Sequence, residues 1–264
     1  MNELKEIPKT VYGPVNSWRL GRSLGIDVLA VDSICSFECV YCQLGKINRV
    51  QTSREVFVPT SRILSDFKES EWQTAEAITF SGSGEPTLAL NLGEVIRGIK
   101  AIADQPIVVL TNSSLLLNAE VRKELLAADR IFCKLDAWTE EAFQKIDRPA
   151  VGIELESIVK GIEMLNNEFE GRLAVQTMIL KRPTDSDLDS YVEILNRITP
   201  AEVQLYLPSR PIPDQYVVSS RGNVAAFSGD HRRLNTISES QFLSVAKKIQ
   251  RLSGIDVVTS QQNI

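Results

Sequence analysis

The sequence predicts an α/β fold, an incomplete (β/α)6 TIM-like barrel with parallel strands. Six short apolar runs, at 25–31, 77–80, 107–111, 130–135, 173–180 and 201–206, alternate with stretches of helical periodicity. Parallel strands need such crossovers, and a series of them builds a sheet with helices outside. Right-handed crossovers curl the sheet, and six units stop short of the eight that close a barrel. No repeat and no Pro/Ser-rich linker divides the 264 residues, so one domain is expected over 1–264. Its parts are an irregular N-terminal segment at 1–24, a barrel core at 25–207, and a long loop plus C-terminal helix at 208–264.

The segment at 10–24 contains Gly13, Pro14 and Gly21 without a sustained period, hence its irregular reading. The run at 25–31 reads as a buried first strand feeding a cysteine-rich loop that ends at Gly45. Residues 61–67 begin a helix, and the strand at 77–80 runs into S-G-S-G-E-P at 81–86. Apolar residues at 92, 95, 96, 99 and 102 have helical spacing, which gives a helix to Ala103. After the strand at 107–111, Asn118 suits the cap of a helix through Ala128. The strand at 130–135 is followed by helices at 139–146 and 154–167 and a strand at 173–180. Ser186 and Asp189 offer a capping signal for the helix to Ile198, before the strand at 201–206. Residues 208–236 carry three prolines, two glycines and a polar mixture, and read as a long loop of the kind that often has a function. Ser238 and Gln241 form a capping box for a last helix, and 255–259 reads as a short final strand.

Hydrophobic residues make up 43% of the chain and charged residues 24%, ordinary for a globular protein. No apolar run approaches ~18 residues, so no membrane span is expected. The N-terminus is charged and lacks a signal-peptide core. Four cysteines, three of them clustered, do not make a secreted disulfide framework. A cytoplasmic, reducing compartment is the expectation. A net charge of −5 argues against a nucleic-acid coat. Residues 1–54 run the other way, with seven Lys/Arg against five Asp/Glu.

Cys35, Cys39 and Cys42 stand at C-x3-C-x2-C spacing. Three thiolates this close can wrap one corner of a metal cluster. A mononuclear site wants four ligands, whereas a four-iron cubane on three cysteines leaves one iron open to a non-protein ligand. The alternatives are a structural zinc completed by Cys133 or by His231, the single histidine, or three unrelated thiols. Zinc motifs usually pair cysteines as C-x2-C on both sides of the site. Cys133, inside a strand, reads as a small buried hydrophobe. In barrels the chemistry collects at the C-terminal ends of strands. Those positions are the cysteine loop, residues 81–85, Thr111 to Ser114, Lys134 with Asp136, Gln176 with Met178, and Gln204 with Tyr206.

The cysteine spacing, with aromatic Tyr41 just before the last cysteine, resembles the signature of the radical S-adenosylmethionine (SAM) superfamily. The resemblance implies a [4Fe–4S] cluster on Cys35, Cys39 and Cys42, its open iron bound by the amine and carboxylate of SAM, with Tyr41 over the adenine. S-G-S-G-E-P, one β–α unit later, resembles the superfamily's methionine-amine motif. There Gly82, Ser83 and Gly84 let the backbone approach the ligand, and Glu85 supplies a carboxylate to the ammonium. Thr111, Asn112 and Ser113 suit ribose hydroxyls or the methionine carboxylate, and suit helix capping equally. Lys134 and Asp136 stand where superfamily members place polar contacts to cofactor or substrate; a surface ion pair is the plain alternative. Gln176 and Gln204 are amides on apolar strands, and burial obliges them to find a ligand or an internal network. Tyr206 stands in the same row.

Further stretches are similar to one branch of the superfamily, the iron–sulfur oxidoreductases related to wyosine-base (tRNA) synthases. They include Y-G-P from Tyr12, R-L-G-R-S-L-G-I-D from Arg19, C-Q-L-G from Cys42, K-L-D-A from Lys134, Arg148-Pro149, Q-T-M from Gln176 and V-Q-L from Val203. The match spans 12–210. Asn16 and Trp18 replace the branch's usual proline and arginine, and no second set of cluster cysteines exists. Two function classes follow: a radical SAM enzyme acting on a nucleotide, RNA or other small anionic substrate, and a non-catalytic iron–sulfur module for electron transfer or redox sensing. S-G-S-G-E-P favours the enzyme, because an electron carrier has no use for an amine-binding loop. A reductant such as ferredoxin or flavodoxin is the expected partner. Arg19, Arg22, Lys46, Arg210 and Arg232 are expected at the barrel mouth, engaging a phosphate or carboxylate on the substrate, with the long loop closing over it.

Overall fold

The computed structural model describes residues 8–222 and 230–260. Residues 1–7 of the expected N-terminal segment, 223–229 of the expected loop and 261–264 at the end lie outside the described residues. Eight strands form one sheet whose spatial order follows the chain. They are β1 Val11–Ser17, β2 Gly21–Ile26, β3 Ala77–Phe80, β4 Ile107–Thr111, β5 Arg130–Lys134, β6 Arg172–Met178, β7 Glu202–Tyr206 and β8 Val257–Thr259. From β2 to β8 every neighbouring pair is parallel. The helices are α1 Thr60–Lys68, α2 Leu92–Lys100, α3 Ala119–Leu125, α4 Glu140–Ile146, α5 Leu155–Glu168, α6 Asp185–Ile198 and α7 Glu239–Ser253. The sheet curls into the expected partial barrel, with β8 as a seventh parallel strand beyond the six β–α units.

Strand alternation sorts the side chains into two layers. In β5, Ile131 and Cys133 join the large core under the helices, whereas Phe132 joins a small concave cluster with Ala77, Val108 and Ala174. That inner cluster is built of small residues, which leaves room within the curl. Leu20 packs on it from the β1–β2 turn.

Several boundaries differ from expectation. The N-terminal segment is not irregular: β1 and β2 form an antiparallel hairpin, and the core strand starts at Gly21 rather than Gly25 and stops at Ile26 rather than Val31. Gly13 and Pro14 sit at a register shift between Tyr12 and Val15, a bulge that an edge strand tolerates. The cap of α6 is Thr184 with Asp187, a full capping box, and not Ser186 with Asp189. The long loop is partly ordered: Ile212–Pro213 pairs with His231–Arg232, and Val218–Arg221 makes a 3-10 turn. Asn118 caps α3, and Ser238 with Gln241 caps α7.

Candidate active site

The cysteine loop begins where Ile34–Cys35 pairs in parallel with Arg49–Val50. It is laced on the other side to the segment after α4. Glu38 N–H donates to the carbonyls of Asp147 and Arg148, Val40 N–H to Ile146, and Ala150 N–H back to Ser36. The loop is therefore fixed at both flanks before any ligand binds. All four cysteines are free; Cys35, Cys39 and Cys42 are half-buried, and Cys133 is wholly buried behind β5. Burial raises all three loop thiols: Cys42 to about 11, and Cys39 well up, with Asp147 and the two neighbouring thiols adding to it. Cys35 rises for the same reason, with Glu85 as the next cause.

Thiols so placed await a cation that draws off their protons. Among the described residues no group of three or more His, Cys, Asp or Glu side chains is placed to hold a single metal ion. A cubane fits the donor set, because each cysteine binds its own iron and the sulfurs need not meet at one point.

The S-G-S-G-E loop packs directly against Ile34, at the start of the cysteine loop. Ile34 N–H donates to the Ser83 carbonyl (2.8 Å), and Glu85 N–H donates to the Ile34 carbonyl (3.0 Å). Gly84 has φ +149°, and a Cβ there would overlap the Ile34 carbonyl oxygen, so only glycine allows this approach. Gly82 lies against Asp27 in the same way. Glu85 is buried and heavily bonded. Its Oε1 accepts from Thr87 N–H (3.1 Å), Thr87 Oγ1 (2.6 Å) and Thr111 Oγ1 (2.7 Å); its Oε2 accepts from Asn112 N–H (2.6 Å). Burial raises its carboxyl, against the pull of those donors. A carboxylate oxygen takes about two hydrogen bonds, so Oε2 retains capacity for one more donor.

At the end of β4 the side chain of Asn112 donates to Ser36 Oγ (2.8 Å) and lies 3.5 Å from Cys35 Sγ. Ser114 Oγ pairs with Ser36 Oγ at 2.6 Å, and Ser113 takes a left-handed φ of +70°. Asn112 thus reaches the cysteine loop. Thr111 turns into the helix-side layer and braces Glu85.

Lys134, Asp136, Tyr206 and Tyr41 form one cluster. Lys134 Nζ donates to Asp136 (2.9 Å) and to the Tyr206 hydroxyl, and it lies 5.1 Å from the Tyr41 ring centre. Burial pulls Lys134 down, but Asp136 and Tyr206 raise it overall. Tyr41 donates to Asp136 and shares its hydroxyl with Asp147 (3.2 Å). Burial, then the Asp136 charge, raises Asp147 to about 8. Lys134 and Asp136 are an inward-facing pair, so the surface ion-pair alternative does not hold. Gln176 and Gln204 are bonded to each other (2.8 Å), and Gln204 also donates to Glu202 (2.6 Å). They form the internal network that was the alternative to ligand contact.

The basic residues do not converge as expected. Arg22 stands at the start of β2, the end of the sheet opposite the cysteine loop, with its N–H bound to Glu76. Lys46 and Arg232 are exposed. Arg210 donates to Gln43, next to Cys42. Arg19, in the β1–β2 turn, lies 4.8 Å from the Trp18 ring centre and 5.5 Å from that of Tyr206.

Sequence reasoning missed Asp27, Asp147 and Tyr216. Arg221, one of the long loop's basic residues expected to meet a substrate anion, pairs with Asp27 instead. The Asp27 carboxylate accepts from the N–H groups of Leu29 and Ala30 (both 3.0 Å), from Ser83 N–H (3.1 Å) and Oγ (2.6 Å), and from Arg221 (2.9 Å). Ser83 Oγ also meets the Tyr216 hydroxyl at 2.9 Å. Val217 N–H donates to Leu44, and Gln43 to the Ser220 carbonyl. Residues 210–222 thus form a strap tied to both the cysteine loop and the S-G-S-G-E loop.

Removing one partner of a buried ion pair costs about 3–5 kcal/mol. Arg221→Gln is therefore expected to raise the open population of the strap by roughly 100-fold or more. Limited chymotrypsin digestion after Tyr216 should accelerate while the iron content of the reconstituted protein stays. Digestion at the native rate would mean that the pair does not hold the strap.

Residues 31–195 match the Radical SAM superfamily. A UPF0026 protein of Synechocystis sp. is 47% identical over 250 residues, 94% of this chain and 94% of that protein. A probable GTP 3',8-cyclase of Saccharolobus islandicus is 24% identical over 71% of this chain and 58% of its own length. Streptococcus suis SuiB has crystal structures bound to precursor peptide SuiA and to S-adenosylmethionine. They align with TM-scores of 0.61 and 0.59, at 12% and 11% identity, over 86% of this chain. This chain spans 47% and 48% of SuiB in those structures, and the likeness is one of fold.

Proposed function

Because this chain belongs to the radical SAM superfamily, whose enzymes use a [4Fe–4S] cluster and SAM, we propose that it modifies a nucleotide, RNA or other small anionic substrate. When bound, the cluster and SAM supply reductive cleavage of a carbon–sulfur bond, which yields a 5′-deoxyadenosyl radical. The observation that carries the reading is the packing of the S-G-S-G-E loop on Ile34, at the start of the loop that bears three free cysteines. A pure electron carrier needs no such loop.

In this reading Cys35, Cys39 and Cys42 hold the cluster. The backbone at Gly82 to Gly84 and the remaining acceptor position on Glu85 Oε2 receive the SAM ammonium. Asn112 and Ser114 stand beside Cys35 for the carboxylate or ribose, and Tyr41 is held by Asp136 and Asp147 on the same side. Thr111, Ser113, Gln176 and Gln204 act through the residues they brace. The described chain is read as one radical SAM domain. The nucleotide class draws support from the resemblance to the wyosine branch and from the cyclase relative. A low-potential reductant such as ferredoxin or flavodoxin would supply the electron, in the cytoplasm. Among the described residues no helix is long and apolar enough to cross a membrane.

Anaerobic protein reconstituted with iron and sulfide, then given dithionite and SAM, is expected to release 5′-deoxyadenosine. A Cys39→Ala control should release none. No product from native protein carrying a full cluster would overturn the enzyme reading.

A further inference from the structure

Among the described residues four arginines are buried or half-buried: Arg19, Arg54, Arg122 and Arg221. Three of them hold a carboxylate: Arg54 with Glu124 (2.5 Å), Arg122 with Glu168 (3.0 Å) and Arg221 with Asp27 (2.9 Å). Arg19 makes neither an ion pair nor a side-chain hydrogen bond to any described residue. A guanidinium withdrawn from water is costly unless an anion meets it, and its five donors demand acceptors.

The placement of Arg19 says where that anion sits. Its neighbour Leu20 is seated on the concave cluster, so the hairpin turn carries Arg19 inside the curl of the sheet. There the guanidinium lies over Tyr206, whose hydroxyl is held by Lys134 at the strand ends that face the cysteine loop. Arg210 adds positive charge to the same neighbourhood: burial foremost, and then Arg210, lowers Arg19, with Tyr206 opposing. Lys134 is offset by Asp136, but Arg19 has no acidic partner within the described residues. The site is thus short of negative charge at one point, next to two aromatic faces, Trp18 and Tyr206.

We infer that Arg19, backed by the Tyr206 hydroxyl, binds a single phosphoryl group of a small phosphorylated substrate inside the barrel. This rests on the enzyme reading above and narrows its substrate class. A guanidinium matches the two-oxygen edge of a phosphate. A lone inward-facing arginine suits one phosphate of a small molecule. An RNA backbone calls for a basic stripe, and Arg22, Lys46 and Arg232 do not line up to form one.

The test uses the reconstituted full chain with inorganic pyrophosphate and GTP as probes, and a single-stranded 20-nucleotide RNA as competitor. Native protein is expected to bind both probes, and Arg19→Gln to weaken both by about 10- to 150-fold, the range for hydrogen bonds to charged groups. Arg22→Gln, at the far end of the sheet, should bind as native does. Should Arg19→Gln fail to fold, phenylglyoxal labelling of the native protein decides instead. Pyrophosphate should protect the Arg19 peptide from modification. Native affinity in Arg19→Gln, absence of probe binding or of protection in the native protein, or RNA binding with a steep salt dependence and no GTP binding would each overturn the inference. Release of 5′-deoxyadenosine by native protein without any phosphorylated probe reports separately on the enzyme reading, so the two can fail independently.

Discussion

Replacing Cys35, Cys39 or Cys42 by alanine is expected to abolish the iron–sulfur cluster, while Cys133→Ala keeps it. Reconstituted native protein should carry about four irons and four sulfides per chain, and each loop variant close to none. The structure sharpens this expectation in two ways. Cys133 is buried in the helix-side core behind β5, so its loss costs packing and not a ligand. The cysteine loop is held at both flanks by backbone hydrogen bonds that use no sulfur. A single Cys→Ala change therefore removes a ligand without unfolding the loop, and the variants should keep the native far-ultraviolet spectrum and a comparable Tm. Iron content and the visible absorption band give the answer directly. Loss of iron in Cys133→Ala would mean that a fourth cysteine takes part, and would restore the four-ligand alternative. Full iron in any loop variant would remove that cysteine from the site.

The parts of the fold that were legible in the sequence are those governed by local pattern. Ala77–Phe80 and Ile107–Thr111 lie where their apolar runs lie, because core strands of a parallel sheet are buried on both faces. Asn118 and Ser238 cap the helices they precede, because capping is decided within three residues. Long-range pairing was not legible. Glycine and proline at 13, 14 and 21 read as breaks, yet β2 supplies the partner that turns 11–17 into an edge strand. Asp27 was hidden for a related reason. The run at 25–31 looks like one strand, but Asp27 ends it, its carboxylate drawn to Ser83 and Arg221, 56 and 194 residues away. Had the strand been stopped at its single charged residue, the rule that chemistry collects at strand ends would have pointed to Asp27. Asp147 had no such signal, since it reaches Tyr41 from the end of a helix. The basic residues were misjudged because charge along a sequence does not say to which end of a barrel a side chain is carried.

Glu85→Ala is expected to damage the site more deeply than the loss of one contact to SAM. The carboxylate gathers four hydrogen bonds, from Thr87 twice, Thr111 and Asn112. Truncation strands those donors in a buried space, at about 1–3 kcal/mol each, partly relieved where water enters the cavity. A loss of about 3–5 kcal/mol follows, and for a chain of this size that is roughly 6–12 °C in Tm. The Asn112 backbone is one of the released donors, and its side chain reaches Ser36 and Cys35. The end of β4 should therefore loosen from the cysteine loop, and SAM affinity should fall along with stability. Glu85→Gln separates the two effects. It keeps the shape and one carbonyl oxygen for Thr87 and Thr111, but turns an N–H group toward Asn112 N–H and removes the charge. Its Tm should fall by less, while its SAM affinity falls by about 10- to 150-fold, the range for a hydrogen bond to a charged group. Differential scanning calorimetry and SAM titration of the cluster-loaded protein measure the pair. Native SAM affinity in Glu85→Gln would show that the carboxylate only braces the two loops, and would leave the ammonium to the backbone carbonyls of Gly82 to Gly84.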